Sequence, residues 1–298
     1  MKMLIRTALC AVAGICMSIN ARACDICGCA IGNNNPYLFP NASRRFVGVA
    51  YYHRFYRLQP PHAAHASMRS ENLLLNAQVS LGGRFRLQAV LPYIVNRYTS
   101  DSRAETKSGL GDLSLLIGYN LLNKKTGATG HLATITAGLK LNTASSTPGL
   151  VSSTDALELQ TGSGSTDYLV AGTYRLTQAN WILLLQGNYR YNTQDKKSGL
   201  RFGDAASASV ALYRKIPFSL FTLIPYATGS TERRMDDARN HVLTTGSGGH
   251  ISLAGAGLDL NTRRLAFGIS CQVPVSQSLA GGIIREAARF NAHAFFTL

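Results

Sequence analysis

Residues 70–81 carry the pattern that decides the fold, and they read SENLLLNAQVSL. Successive side chains of a β-strand point to opposite faces of the sheet, so one parity of this segment forms each face. One parity is apolar: Leu73, Leu75, Ala77, Val79 and Leu81. The other is polar: Asn72, Asn76, Gln78 and Ser80. The segment therefore predicts a strand that separates an apolar environment from an aqueous one.

The same alternation recurs along the chain from residue 45 onward, and it is clearest in residues 112–121 and 181–192. No sustained helical periodicity accompanies it. We count about twelve such segments and predict strands at 45–57, 70–81, 84–97, 112–121, 131–143, 167–176, 181–192, 202–215, 219–231, 249–260, 263–274 and 288–298.

The connections between these segments alternate in length. The short ones are 82–83, 123–130, 177–180, 216–218 and 261–263. The long ones, rich in Ser, Thr, Gly, Asp and Lys, are 58–70, 98–109, 144–166, 193–201, 232–248 and 275–287. Short periplasmic turns, long extracellular loops and an even strand number are typical of outer-membrane barrels. Because an open sheet edge would leave backbone groups unsatisfied in hydrocarbon, the predicted sheet closes.

Composition narrows the alternatives. The chain has 298 residues, of which 46% are hydrophobic and only 15% charged, and its mean hydropathy is +0.02. This excludes a disordered chain, and the absence of apolar runs of about eighteen residues beyond the N-terminal segment excludes a helical membrane bundle. A soluble β-sandwich or lipocalin-like barrel would also alternate, but its outer face would carry more charge. We therefore expect an all-β, transmembrane antiparallel β-barrel of about 12 strands.

The N-terminal segment has the features of a secretory signal peptide. Lys2 and Arg6 precede the apolar residues 8–19, and Ala21 and Ala23 supply the small residues that signal peptidase recognises. We expect export to the outer membrane of a Gram-negative cell. The predicted division is a signal peptide (1–23), a cysteine-bearing periplasmic segment (24–44) and a barrel (45–298).

Residues 108–115 read SGLGDLSL, a turn that opens a predicted strand. With the strand pattern of 45–298, this motif resembles the outer-membrane β-barrel transporter family named after a phenol meta-degradation pathway (MetA-type). The resemblance implies a barrel and a transport role, and it carries over no catalytic residues. Residues 24–29, CDICGC, are similar to the CDxCGC head of uncharacterised barrel proteins. The last residue, Leu298, departs from the terminal Phe or Trp expected for the partner that inserts such barrels, the barrel-assembly machinery.

The N-terminal thiols leave three interpretations open. Cys24, Cys27 and Cys29 can bind a soft metal such as Cu(I) or Zn(II), and we expect no other cofactor. They can equally form a disulfide in the oxidising periplasm, or Cys24 can carry lipid, although Ala21 and Arg22 fit a lipobox poorly.

Two other groups of potential metal ligands are weaker candidates. His62 and His65, with Met68 nearby, suggest a second copper site, but a pair of loop histidines is more often simply solvated. Cys271 shares the parity of Phe267, Ile269 and Val273, which predicts an inert residue facing lipid.

The expected lumen is basic. The residues predicted to line the pore are Arg84, Arg86, Asp112, Lys140, Arg175, Arg190 and Arg264, among which Asp112 is the one acid. A basic wall concentrates anions. The alternative is that Arg84, Arg86 and Arg264 only cap the periplasmic rim. A barrel of this size can hold a narrow pore or a plug.

The remaining patterns restrict partners and chemistry. The formal net charge of +15 is scattered rather than gathered in one basic run, which argues against nucleic acid. Outer-membrane lipids are the expected surroundings, with interfacial girdles formed by Tyr93, Tyr98, Tyr119, Trp181, Tyr189 and Tyr191. No strand-borne Ser, His and acid set stands out, and His293 has no identifiable partner.

These observations together predict a channel rather than an enzyme. We expect passive passage of small solutes, with a preference for anions or aromatic acids. The alternatives are a metal-handling or sensing barrel that uses the N-terminal cysteines, and an outer-membrane lipid hydrolase.

Overall fold

The computed structural model describes residues 45–59, 66–101, 104–144 and 160–298. Its strands are β1 (Phe46–Leu58), β2 (Ala66–Leu81), β3 (Phe85–Ser100), β4 (Ala104–Leu110), β5 (Ser114–Thr126), β6 (Thr129–Lys140), β7 (Asp167–Gln178), β8 (Trp181–Tyr191), β9 (Leu200–Arg201), β10 (Ala205–Arg214), β11 (Ile216–Pro217), β12 (Thr222–Arg234), β13 (Asp237–Arg239), β14 (Val242–Thr244), β15 (Gly249–Asn261), β16 (Leu265–Leu279) and β17 (Ile284–Thr297). None of the described residues belongs to a helix long and apolar enough to cross a membrane. The predicted signal peptide and cysteine-bearing segment lie outside the described residues.

The long strands form one closed antiparallel barrel. Hydrogen-bonded neighbours follow the order β10, β8, β7, β6, β5, β3, β2, β1, β17, β16, β15 and β12. The ring closes because β10 also pairs with β12, from Ala205 opposite Arg234 to Tyr213 opposite Tyr226. β4 pairs with β3 beyond the end of β5. With β4 and β5 counted as one interrupted strand, the wall has 12 strands, as predicted.

The two ends of the barrel differ. At the end defined by the connections 82–84, 127–128, 179–180, 215–221 and 262–264, here called the turn end, the chain reverses tightly. At the opposite end, the loop end, the connections after β8 and β12 are longer and contribute β9, β13 and β14 to a separate three-stranded sheet. The barrel thus carries ordered loop structure at one end.

The inner and outer faces have the polarity of a membrane barrel. On β2, Leu73 and Leu75 are 45% and 49% exposed, whereas Asn76 on the other parity is fully buried. The other long strands present exposed apolar side chains outward in the same way. A soluble barrel or sandwich buries its apolar face instead, so this polarity excludes those alternatives.

All the predicted strands are present, but several extend further than their polarity indicates. Residues 98–109 were predicted as a loop, but they contain β4. Residues 275–287 were also predicted as a loop, but most of them belong to the ends of β16 and β17. Those loop predictions were wrong because hydrogen-bonded pairing continues past the apolar band, where the alternation of hydrophobicity ends.

The GLGDL motif, residues 109–113, lies at the interruption between β4 and β5 and directly precedes β5, so it opens a strand as predicted. The Gly111 N–H donates to the Pro92 carbonyl at 2.8 Å. A Cβ at Gly111 would lie 2.7 Å from Pro92 Cγ, so glycine permits this close passage.

Candidate functional site in the barrel interior

One side of the interior retains accessible surface. On β5, β6, β7, β8 and β10, which we call the accessible wall, the inward side chains at mid-height are half-buried, and all of them except Leu116 are small or polar. They are Leu116, Thr136, Gly138, Ala171, Thr173, Gln186, Asn188, Ser207 and Ser209. A half-buried side chain that points away from lipid is reached from inside the barrel. The described part of the interior is therefore accessible along this wall.

The opposite side is filled. On β15, β16, β17, β1 and β2, the packed wall, most inward residues are buried, including aromatic ones such as Tyr52 and Phe295. Phe46 and Phe295 make an edge-to-face contact with their ring centres 5.2 Å apart. Near the loop end, Tyr56, Met68 and Ile284 belong to a second buried apolar cluster. The packed wall leaves little room for a solute.

Three predicted basic residues lie on inner faces. Arg86 is buried on β3 and reaches over Gly118, where an added Cβ would lie 3.3 Å from its Nε. Arg175 is half-buried on β7, in the turn-end half of the accessible wall. Arg190 is buried in the loop-end half. The accessible wall therefore has guanidinium groups towards both ends.

Arg84 and Arg264 do not lie on the inner wall. Both are exposed and belong to tight connections at the turn end. Arg84 Nη1 donates to the Tyr119 hydroxyl at 3.5 Å, and the Arg264 carbonyl accepts from Thr297 N–H at 2.7 Å. Their parity suggested the lumen because alternation was extended into the turns, where it no longer applies. For these two residues the structure agrees with the rim alternative.

Lys140 and Asp112 point inward, but they belong to a buried ionic network. Lys140 Nζ lies 2.8 Å from Asp112 Oδ2 and 2.8 Å from Asp167 Oδ2. It also donates to the Ser163 hydroxyl and to the Ser165 carbonyl at 3.3 Å. We call these five residues the Lys140 network. Each has at most 5% of its surface exposed.

The Lys140 network holds residues 160–166 inside the loop end of the barrel. Ser163 N–H donates to Asp112 Oδ2 at 3.0 Å, and Asn142 Nδ2 donates to the Gly164 carbonyl at 2.8 Å. On the other side, Asn96 Nδ2 donates to the Gln160 carbonyl at 3.4 Å. These contacts attach the segment to β3 and to the ends of β6 and β7, so it narrows the loop end.

Sequence reasoning missed Asp167, Ser163 and Ser165. The available signal was an acid at the first position of β7, directly opposite Lys140 in the ladder. Pairing partners follow only from strand register, which was not predicted.

A second ionic network crosses the interior of the packed wall. Arg289 Nη2 on β17 lies 3.0 Å from Glu232 Oε2 on β12 and 3.0 Å from Glu286 Oε2. The contact to Glu232 spans two intervening strands, β15 and β16. Alternation along β17 would place Glu286 and Arg289 on opposite faces. A register shift between them lets both side chains point inward, so the sequence pattern did not predict this pair.

His293 has a partner, so the prediction that it lacks one was wrong. Its Nε2 lies 3.7 Å from Asp259 Oδ1, and its ring stacks on Phe295 at 5.1 Å between centres. A Cβ at Gly268 would lie 2.3 Å from Asp259 Oδ1, so glycine makes room for the pair. Asp259 and His293 meet across β16, a proximity that no sequence spacing indicates.

Most of the predicted metal ligands lie outside the described residues. Among the described residues, no group of three or more His, Cys, Asp or Glu could hold a metal ion. Cys24, Cys27, Cys29, His62 and His65 lie outside the described residues. Cys271 is a free thiol on the outward parity of β16, between the exposed Ile269 and Val273.

The predicted aromatic girdles need one correction. Tyr93, Trp181, Tyr189 and Tyr191 are exposed on the outer face. Tyr98 points inward instead and is buried with Met68 and Ile284. Its even number on β3 shares the parity of Asn96, which is the inward one.

Outside the membrane-spanning strands, Asp195 organises the loop after β8. Burial raises the pKa of its carboxyl, but hydrogen bonds from the Ser198 hydroxyl and from the Lys197 and Ser198 N–H groups outweigh this. The pKa of Asp195 therefore lies below its usual value, and the ionised carboxylate holds the loop.

Comparisons with known proteins address the fold. No protein-family model matches the chain, and no curated protein matches it. The structure is similar to the COG4313 outer membrane channel from Pseudomonas putida F1, with 13% identity, a TM-score of 0.63, and coverage of 86% of this chain and 96% of that one. It is also similar to the beta domain of the Bordetella autotransporter Brka, with 12% identity, a TM-score of 0.54, and coverage of 86% and 100%. Together with the apolar outer face, this likeness shows that the chain has the fold of an outer-membrane β-barrel and belongs in the outer membrane.

Proposed function

We propose that the protein is an outer-membrane channel for the passive passage of small solutes, with a preference for anions, including aromatic acids. The observation that carries this proposal is the stripe of half-buried, small and polar side chains along the accessible wall. The similar solved structure from Pseudomonas putida is described as an outer membrane channel. The MetA-type resemblance of the sequence implies the same class of function.

The charge of the accessible wall supports the anion preference. Arg175 and Arg190 lie on the accessible wall itself, and Arg86 lies on the adjoining strand β3. A guanidinium group presents a planar fork of donors that matches a carboxylate or a phosphate. A wall of one sign raises the local concentration of the opposite ion, and passage needs binding weak enough to allow release.

The two ends of the accessible wall limit solute size. The Lys140 network holds residues 160–166 across part of the loop end. Near the turn end, Ile182, Leu184, Tyr213 and Tyr226 form a buried apolar cluster. This arrangement fits a narrow passage rather than a wide pore. It calls for no catalytic step, and the buried position of His293 in the packed wall gives no reason to propose lipid hydrolysis.

Single-channel recording tests this proposal. The refolded protein is inserted into a planar bilayer, and a salt gradient gives the reversal potential. We expect discrete conductance steps with anion selectivity, and we expect Arg175→Gln to lower the anion-to-cation permeability ratio. Arg233→Gln removes an equal charge from the outer face of β12 and should leave the ratio unchanged. Cation selectivity, or no conductance from folded and inserted protein, would contradict the proposal.

The spacing of the N-terminal thiols supports a second candidate function, a metal-handling or sensing barrel. Three cysteines within residues 24–29 are suited to Cu(I) or Zn(II). The test is equimolar binding of either metal by protein with reduced thiols, lost in the triple variant Cys24→Ser, Cys27→Ser, Cys29→Ser. Metal retained by the triple variant would refute this candidate.

A further inference from the structure

The outer face of the barrel carries a group of arginines that the passage of solutes does not use. Arg57, Arg69, Arg97 and Arg285 lie on the neighbouring strands β1, β2, β3 and β17, and all are exposed on the outward parity. We call them the arginine patch. Each lies towards the loop end of its strand, just beyond the apolar part of the outer face.

Strand register brings these like charges together. Arg57 lies directly opposite Arg285, and Arg69 lies directly opposite Arg97. Directly opposed like charges destabilise a sheet. The guanidinium carbons of Arg57 and Arg69 also approach the same ring, at 6.0 and 5.8 Å from the centre of Phe55. The register therefore brings positive charges close together, and a bound anion would reduce the repulsion between them.

Few carboxylates of the protein lie near enough to compensate the charge of these arginines. Glu71 is the one acidic residue on the outward parity of these four strands, and it accepts from Arg97 Nη1 at 3.0 Å. Among the described residues, no carboxylate lies within ion-pairing distance of Arg57, Arg69 or Arg285. The patch thus has an excess of guanidinium groups at the barrel surface.

The surface next to the patch is apolar. Towards the turn end, exposed Tyr51, Leu73, Tyr93 and Phe290 follow on the same four strands. Exposed Val49 and Leu75 continue this surface. A ligand that covers both regions must combine a polyanionic head with hydrocarbon chains.

We propose that the arginine patch binds the phosphorylated head group of a multiply acylated saccharolipid of the outer leaflet, the lipid A part of lipopolysaccharide. The guanidinium forks contact phosphate oxygens, and the acyl chains lie against the apolar residues towards the turn end. The loop-end position places the patch at the outer interface of the membrane. The continuous apolar surface favours this lipid over free phosphate.

Equilibrium binding of bisphosphorylated lipid A to the full folded barrel in detergent tests the proposal. The patch variant is Arg57→Gln with Arg69→Gln. The control is Arg214→Gln with Arg233→Gln, which removes the same charge from exposed outer positions on β10 and β12. Folding is checked by the heat-modifiable mobility of each barrel in gels. Basic residues beside an anionic lipid surface contribute roughly fivefold in affinity each, so we expect about thirtyfold weaker binding by the patch variant. The control should bind like the wild type.

Two further arms identify the ligand. Lipid A stripped of phosphate should bind the wild-type protein at least as weakly as intact lipid A binds the patch variant, which keeps Arg97 and Arg285. Millimolar inorganic phosphate should not displace the lipid. Equal weakening in both double variants, full binding of the phosphate-free lipid, or displacement by inorganic phosphate would each overturn the proposal. Arg285→Gln alone, with an expected loss of about fivefold, keeps the test available if the double variant does not fold.

Discussion

The accessible wall and the packed wall of this barrel share one strand geometry and one outer surface, but their inner side chains differ. Ser207, Ser209 and Thr173 are short and leave space in front of them, whereas Tyr52 and Tyr56 fill the interior opposite. The packed wall also contains the ionic network of Arg289, Glu232 and Glu286, which joins β17 to β12. The comparison shows that side-chain size and ion pairing, rather than strand number, divide the interior into a filled half and an accessible half.

The largest effect is expected in the packed wall. Arg289→Ala leaves the buried Glu286 and the half-buried Glu232 without their shared cation, which costs about 3–5 kcal/mol in the free energy of unfolding. We expect a lower urea midpoint for the folded barrel and unchanged ion selectivity. Arg285→Ala, on the outer face of the same strand, is the matched control. Equal destabilisation by both variants would show that the ionic network does not define the packed wall.

A change of similar or smaller size is expected at the loop end of the accessible wall. Lys140→Ala leaves Asp112 and Asp167 buried close to each other without a cation, which costs about 3–5 kcal/mol in the free energy of unfolding. Because residues 160–166 then lose their anchor, single-channel conductance should rise. Lys107→Ala removes a partly exposed lysine that lies 3.5 Å from Glu105, and it should change neither quantity by much. If the Lys140→Ala barrel is destabilised but its conductance is unchanged, the Lys140 network does not narrow the solute passage.

A smaller effect on stability, but a direct one on passage, is expected at mid-height. Ser209→Trp places an indole in the accessible space. Because a smaller pore diameter admits fewer ions, the single-channel conductance should fall by about half or more. Ala208→Trp adds the same group to the outward face one residue earlier and should leave conductance unchanged. Equal conductance in both variants would refute the assignment of the accessible wall.

The smallest effect concerns the loop after β8, beyond the accessible wall. The pKa of Asp195 is lowered in the folded protein, so its contribution is present above the unfolded pKa of about 3.8 and is lost as pH falls through the folded value. Amide exchange at Lys197 and Ser198 should therefore accelerate only in strong acid. Asp195→Asn should accelerate it at neutral pH without changing conductance. Exchange that does not respond to either change would remove Asp195 as the organiser of this loop.

The sequence predicted the strands of the barrel wall better than it predicted the contacts between side chains in the interior. Alternation predicted the long barrel strands and the inward direction of Arg86, Arg175 and Arg190. It failed at Arg84 and Arg264, since parity has no meaning inside a tight turn. It also failed for β4, whose residues 104–110 are polar enough to resemble a loop although they pair with β3. The polarity of a strand's side chains indicates which solvent each face meets. Backbone hydrogen bonding between strands continues beyond the membrane, where both faces meet water.

The interior networks were beyond sequence reasoning for a different reason. Lys140 meets Asp167 through strand register, Arg289 meets Glu232 across two intervening strands, and Asp259 meets His293 across one strand. Each contact joins residues whose separation in the chain carries no periodic signal. The sequence by itself determined a closed, apolar-coated barrel, because hydrocarbon imposes a period of two on every strand. Only the tertiary structure decided which half of the interior is filled, because that depends on which inward side chains face each other once the ring has closed.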